Sequence, residues 1–171
     1  MARKTKQVEV RMVSEYCLLT YSQFPTIFNC PLGAVSEELM AEVGYANALG
    51  MTRQFRPRVD VLVILPRYLL LIEAKVRTIM YGLGQLPLYK SLVPITPELR
   101  EYKDYEVLME LVVGWTNSNL ERMASENGVK VKLFRPDWLQ EYVTAWHKYW
   151  TPEYRYKRDE KLRMRELLGL E

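Results

Sequence analysis

Apolar residues are densest in one block of the chain, Arg58–Lys75, RVDVLVILPRYLLLIEAK. Val61, Leu62, Val63 and Ile64 form one run and Leu69, Leu70, Leu71 and Ile72 a second, bounded by Pro57 and separated by Pro66. Unbroken branched and aliphatic runs of this length predict strands buried on both faces. A turn at Pro66-Arg67 makes them an antiparallel hairpin in which Leu65 faces Tyr68 and Asp60 faces Glu73. Directly opposed residues share a face with Cβ atoms ~5 Å apart. Lys75, two residues past Glu73, stays on that face. Pro66 suits the first place of a primed turn poorly, because its φ is locked negative. A longer loop would shift the pairing by one residue and turn one carboxylate away from the other.

The remaining periodicities alternate between helix and strand. Residues 6–22 read as a helix with Val8, Met12, Glu15 and Leu19 on one face, which puts Glu15 on or near the apolar stripe and lets Glu9 turn outward. Thr26–Cys30 reads as a short strand. Ser36 is a helix N-cap, with Glu37 and Glu38 in the first turn, Leu39, Met40, Val43 and Ala46 inside, and an end near Gly50. Residues 79–92 read as a helix despite Gly82, Gly84 and Pro87. A start near Gly84 would bring Pro87 into the first turn, where proline is tolerated, and put Gln85 and Tyr89 on one face. After a loop or short helix over 94–105 come a strand at 105–115, a helix at 117–127 closed by Gly128, and an alternating edge strand VKVKLF at 129–134. A helix from Asp137 to Trp150 buries Leu139, Val143, Trp146 and Trp150. The order predicts an α/β fold: a mixed four- or five-stranded sheet flanked by helices. We expect one domain over 1–150 and a basic helical extension over 151–171.

Composition narrows the class. A chain of 171 residues with 49% hydrophobic and 26% charged residues is ordinary for a globular domain. The net charge of +3 permits a nucleic-acid partner without requiring one. No apolar run reaches membrane-spanning length. Ala2-Arg-Lys-Thr-Lys leads into no apolar signal segment, so an intracellular (cytoplasmic), reduced protein with no membrane partner is expected. A homodimer is left open. His147 is the single histidine, which rules out a Ser/His/Asp triad or a histidine-built metal site. Two cysteines, Cys17 and Cys30, cannot supply the four thiolates of an iron–sulfur cluster.

Asp60, Glu73 and Lys75 are out of place in an apolar hairpin. Two adjacent carboxylates repel, and burial raises at least one pKa. A divalent cation relieves both effects, and oxygen-only ligation suits Mg²⁺ or Mn²⁺. A lysine beside such an ion can orient or deprotonate a water or stabilise developing negative charge. The plainer alternative is a structural lysine bridging two carboxylates. Arg53, Arg56 and Arg58 precede the Asp60 strand, and Arg77 and Lys90 belong to the same neighbourhood. Such a basic entry suits a phosphate backbone, although arginines in a solvated loop would look the same. The basic segment 153–168, with Tyr154 and Tyr156, could track a nucleic-acid strand or simply be a solvated helix docked by Leu162 and Leu167.

Asp60 followed by Glu73-Ala74-Lys75, and then by Gln85-Leu-Pro-Leu-Tyr89, resembles the PD-(D/E)xK nuclease superfamily and its RecB-like branch with a QxxxY motif. The resemblance covers about residues 8–135 and implies a restriction-endonuclease-like core. It implies Asp60, Glu73 and the Ala74 carbonyl as metal ligands, with a glutamate of the first helix, here Glu15, completing the set and Glu37 and Glu38 as rivals. Lys75 would assist the attacking water and Gln85 would position the lysine or the substrate. Tyr89 would stack on a base or hold a phosphate. Arg56, Arg58, Arg77 and Lys90 would contact nucleic acid. The implied activity is Mg²⁺- or Mn²⁺-dependent phosphodiester hydrolysis, most readily in DNA, as an exonuclease or a structure-specific endonuclease. A binding or assembly module that no longer cuts is the alternative.

Overall fold

The structure is a computed structural model that describes residues 2–147 and 151–169. Its centre is the hairpin of β2 (Arg58–Leu65) and β3 (Tyr68–Lys75). The two strands pair antiparallel from Leu65 opposite Tyr68 to Val61 opposite Ile72, the register that carries Asp60 to Glu73. The turn is the short one. Arg67 takes a left-handed φ of 65° after Pro66, and proline followed by a left-handed residue is the type II combination, compatible with the locked proline φ. The Arg67 carbonyl accepts from Glu106 N–H at 3.1 Å, which fastens the turn to the next strand.

Three further strands complete a five-stranded mixed sheet of order β1-β2-β3-β4-β5. β1 (Thr26–Pro31) runs antiparallel to β2, while β4 (Glu106–Val113) and β5 (Val129–Leu133) add in parallel. Parallel neighbours need crossovers. These are α4 (Ile79–Leu92) between β3 and β4 and α5 (Ser118–Glu126) between β4 and β5. Asn117 caps α5, its side chain accepting from Leu120 N–H at 2.9 Å. Gly128, at φ 65°, makes the left-handed exit into β5. The main core includes Leu62, Leu69, Leu71, Leu83, Leu86 and Leu111.

Helix α1 (Ala2–Tyr21) buries Met12, Val13, Tyr16 and Cys17. The true stripe is therefore rotated from the expected one, and Leu19 is 75% exposed. Tyr16 and Tyr21 fix the helix by donating to the buried Glu110 carboxylate at 2.7 and 3.2 Å. That polar anchor favours the observed rotation over one that would bury Leu18 and Leu19. The helix expected over 36–50 divides into α2 (Glu37–Val43) and α3 (Tyr45–Thr52) at Gly44, whose φ of 83° no helix allows. Ser36 does cap α2, accepting from Leu39 N–H at 3.2 Å. Ala48 is the buried residue of this pair of helices.

Helix α4 begins at Ile79, not near Gly84, and runs through Pro87. Burial of Ile79, Leu83 and Leu86 outweighs the missing proline N–H. Gly82 is what lets α4 lie close to the sheet: a Cβ there would stand 2.6 Å from Lys75 Cγ and 3.0 Å from Leu111 Cδ1. Short 3₁₀ segments at Val93–Ile95 and Pro97–Tyr102 lead into β4.

By contacts the chain divides into two units, 1–134 and 135–171. The second holds α6 (Asp137–His147) and α7 (Pro152–Leu167), the latter capped by Thr151 and without a buried residue. The expected boundary at residue 150, the helix end at Trp150 and the side chains of Trp146 and His147 lie outside the described residues.

Gly82→Ala is expected to destabilise the protein by about 1–3 kcal/mol, as overpacking does, despite the better helix propensity of alanine. Denaturant unfolding should show a lower midpoint with an unchanged slope.

Candidate active site

The β2–β3 ladder stops being purely main-chain at the Asp60–Glu73 level. There the side chains take the backbone donors. Ala74 N–H donates to Asp60 Oδ2 at 2.9 Å, and Asp60 N–H points at Glu73 Oε2 at 3.4 Å. Lys75 Nζ donates to Glu73 Oε1 at 2.5 Å. Each of the three residues thus holds another in place, at the carboxyl end of β3, where ligands meet parallel sheets.

These groups line an open cavity of about 470 Å³ together with Glu9, Gln85 and Tyr89, and with Lys6, Arg58 and Arg77 as its cations. Glu9 comes from α1, and its Oε1 accepts from Val76 N–H at 3.0 Å, one residue past Lys75. Gln85 and Tyr89 come from α4 and share a face, Gln85 Nε2 donating to the Tyr89 hydroxyl at 2.8 Å. Gln85 Oε1 is buried without a hydrogen-bond partner.

Electrostatics mark Glu73. It is 2% exposed, and burial, then the charge of Asp60, push its pKa up from 4.5 to about 7 against the pull of Lys75. Burial works against the Lys75 ammonium, yet the charge and hydrogen bond of Glu73, with Asp60 and Glu9, raise its pKa. Burial also raises Glu9, opposed by the Val76 N–H and by Lys75. Tyr89 is raised by burial and by the Glu73 and Asp60 charges, so its hydroxyl stays protonated.

The donor set fits a hard divalent cation. Asp60, Glu73 and Glu9 offer oxygen donors only, and two of these carboxylates stand opposed at the end of one hairpin. Among the described residues no three Asp, Glu, His or Cys side chains form an ion cage. Mg²⁺ does not need one, being held by one or two carboxylates with waters and substrate phosphates.

Several expected site residues lie elsewhere or act otherwise. Glu15 does not line the cavity; Arg11 Nε bonds its carboxylate at 2.8 Å, four residues back on α1. Glu37 and Glu38 are exposed in the first turn of α2, and Glu38 is held by Ser36 Oγ at 2.5 Å. Arg56 is buried and clamped by Glu98 through two bonds of 2.6 and 2.8 Å, so it is an internal strut and not a phosphate contact. Tyr89 is 5% exposed and packs with the core, and its hydroxyl is taken by Gln85 at the cavity wall. Lys90 is exposed in the last turn of α4 and does not line the cavity. Arg58 and Arg77 do line it. The residue missed from sequence is Glu9. It starts the series Glu9, Met12, Val13, Tyr16, Cys17, whose i, i+3, i+4, i+7, i+8 spacing is the better amphipathic stripe.

No protein-family model matches the sequence, and no curated protein is significantly similar to it. Among solved structures, a repair endonuclease from Pyrococcus abyssi aligns at 13% identity with a TM-score of 0.46, over 74% of this chain and 46% of that one. The chain therefore spans less than half the length of that structure. What the cavity can do is decided by its own side chains. No described helix is long and apolar enough to cross a membrane.

The raised Glu73 pKa has a sign. The folded protein keeps a proton that the unfolded chain releases near pH 4.5, so this group's contribution to stability is complete below that pH and is lost as pH rises through about 7. The loss is expected to be on the order of 3 kcal/mol in metal-free protein. Urea unfolding at pH 5, 6, 7 and 8 should show this downward slope, and Glu73→Gln should flatten it.

Proposed function

We propose that the chain is a metal-dependent nuclease hydrolysing phosphodiester bonds, with DNA as substrate. The observation that supports this most is the placing of the Lys75 ammonium on Glu73, with Asp60 opposed, inside a cavity edged by Lys6, Arg58 and Arg77. A phosphate drawn in by those cations would meet two carboxylates and an ammonium at one end of a rigid sheet.

Asp60 and Glu73, with the Ala74 carbonyl, would hold Mg²⁺ or Mn²⁺, which supplies charge relief at the phosphate and acidifies a water. Glu9 takes the place on the first helix that sequence reading assigned to Glu15. With Glu73 engaged as a metal ligand, the Lys75 ammonium beside it would be available to orient the attacking water or neutralise charge developing on the phosphate. Gln85, held by Tyr89, offers its amide to the water or to a phosphate oxygen. Tyr89 positions Gln85 from within the core. A protonated Glu73 would oppose metal loading, so occupancy should improve as pH rises through about 7.

One observation favours a second reading, a nucleic-acid-binding module that does not cut: the described acids form no ready ion cage. Calorimetric titration with Mn²⁺ separates the two, since a non-cutting module has no need to bind the ion.

For the nuclease, Asp60→Ala and Lys75→Ala are each expected to abolish Mg²⁺-dependent cleavage of an end-labelled DNA while circular dichroism stays native. Undiminished cutting by either variant would refute the assignment. Glu15→Ala should cleave normally, whereas Glu9→Gln should cleave poorly. Gln85→Ala should keep Mn²⁺ affinity but lose ~10²-fold in turnover, as for a lost transition-state contact; single-turnover kinetics checks this.

A further inference from the structure

The segment between α3 and β2 carries an exposed aromatic ring on a tightly fastened turn. Phe55 is 80% exposed. The backbone beneath it is not loose: Phe55 N–H donates to Thr52 O at 3.0 Å, and Leu32 N–H donates to Pro57 O at 2.8 Å. Next to the ring, Arg56 turns inward, clamped by Glu98 and reaching Pro31 O at 3.4 Å. The Arg56–Glu98 ion pair thus anchors the residue next to Phe55, while Phe55 itself faces solvent. Exposed arginines flank it, Arg53 on one side and Arg58 on the other. Arg58 lines the cavity. Arg58 is three positions after Phe55, a Cα span of at most about 11 Å. On α3, Tyr45 and Met51 are also exposed, and the pair of helices α2 and α3 buries little besides Ala48.

A single exposed apolar side chain is unremarkable. Here the exposed ring lies two positions after Arg53 and three before Arg58 along the chain, and Arg58 lines the cavity. Cations that track a phosphate backbone, with an aromatic face between them, are the chemistry of single-strand binding, because every base has a stackable face. A protein partner would have no use for cations continuous with the cavity. In a continuous duplex the bases are stacked on one another and present no free face.

We propose that Phe55 is a stacking platform for an unpaired base, a few nucleotides from the phosphate held in the cavity, so that the chain selects strands with a single-stranded segment at that place. The proposal rests on the nucleic-acid reading of the cavity. It goes beyond that reading by naming the substrate class, a single strand, flap or frayed end in preference to continuous duplex.

The test uses the full chain in EDTA, where no cutting occurs, with 2-aminopurine oligonucleotides as single strand, flap and blunt duplex. Wild type should bind single strand and flap more tightly than blunt duplex and quench the 2-aminopurine at one register. Phe55→Ala should weaken single-strand and flap binding by about 5- to 100-fold, abolish the quench and leave duplex binding unchanged. Phe55→Trp should restore both signals. Equal affinity and equal quench in wild type and Phe55→Ala would overturn the proposal. So would a change of oligomeric state in Phe55→Ala by sedimentation, since a second copy would then cover the ring. Cleavage in Mg²⁺ is scored separately. Cutting by wild type with no dependence on Phe55 removes the platform and keeps the nuclease, whereas Phe55-dependent binding without cutting keeps the platform and removes the nuclease.

Discussion

Two carboxylates facing each other at the end of a buried hairpin are the constraint on which the rest of the site depends. Asp60 and Glu73 meet because β2 and β3 pair with Leu65 opposite Tyr68. Their repulsion and partial desolvation would loosen the strand ends if nothing compensated. Compensation comes from the hairpin itself: the Ala74 N–H, the Asp60 N–H and the Lys75 ammonium all turn toward carboxylate oxygens. The other elements are arranged around this knot. Gly82 lets α4 lie over the Lys75 stem, which brings Gln85 to the cavity. Helix α1 delivers Glu9 to the Val76 N–H.

The buried acids of the fold differ in how they are satisfied. Glu110 is as buried as Glu73, but two tyrosine hydroxyls donate to it. Glu98 is met by both arms of the Arg56 guanidinium, and that bond pulls its pKa down against burial. Glu73 alone of these three shares its surroundings with another acid and opens onto a cavity edged by cations. Polar groups that serve only the fold are normally satisfied in place. An acid left in partial conflict beside solvent is the arrangement expected where a charged ligand completes the balance.

The hairpin chemistry was legible in the sequence because it is local. Apolar runs, two prolines and strand alternation suffice to pair Asp60 with Glu73 and to keep Lys75 beside them, once the turn is short. Pro66 alone left that length open, and the left-handed Arg67 closed it. The α/β order of a four- or five-stranded mixed sheet and the Ser36 cap were equally readable, since each depends on neighbours within a few residues, whereas the Asn117 cap emerged only from the structure.

Side chains meeting across the fold were not legible. Helix α1 offers two overlapping apolar stripes, and only Glu110 of β4, awaiting Tyr16 and Tyr21, decides that Glu9 turns inward and Glu15 outward. Arg53, Arg56 and Arg58 look alike along the chain. Glu98, 42 residues beyond Arg56, converts one of them into an internal strut. Tyr89 belongs to its motif by spacing, yet it packs largely into the core and its hydroxyl accepts from Gln85. The sequence by itself determined which residues share a strand face or a helix turn, because backbone periodicity is a local property. Which of them face each other across elements was decided only by tertiary structure, because burial and charge pairing depend on partners the chain supplies from far away.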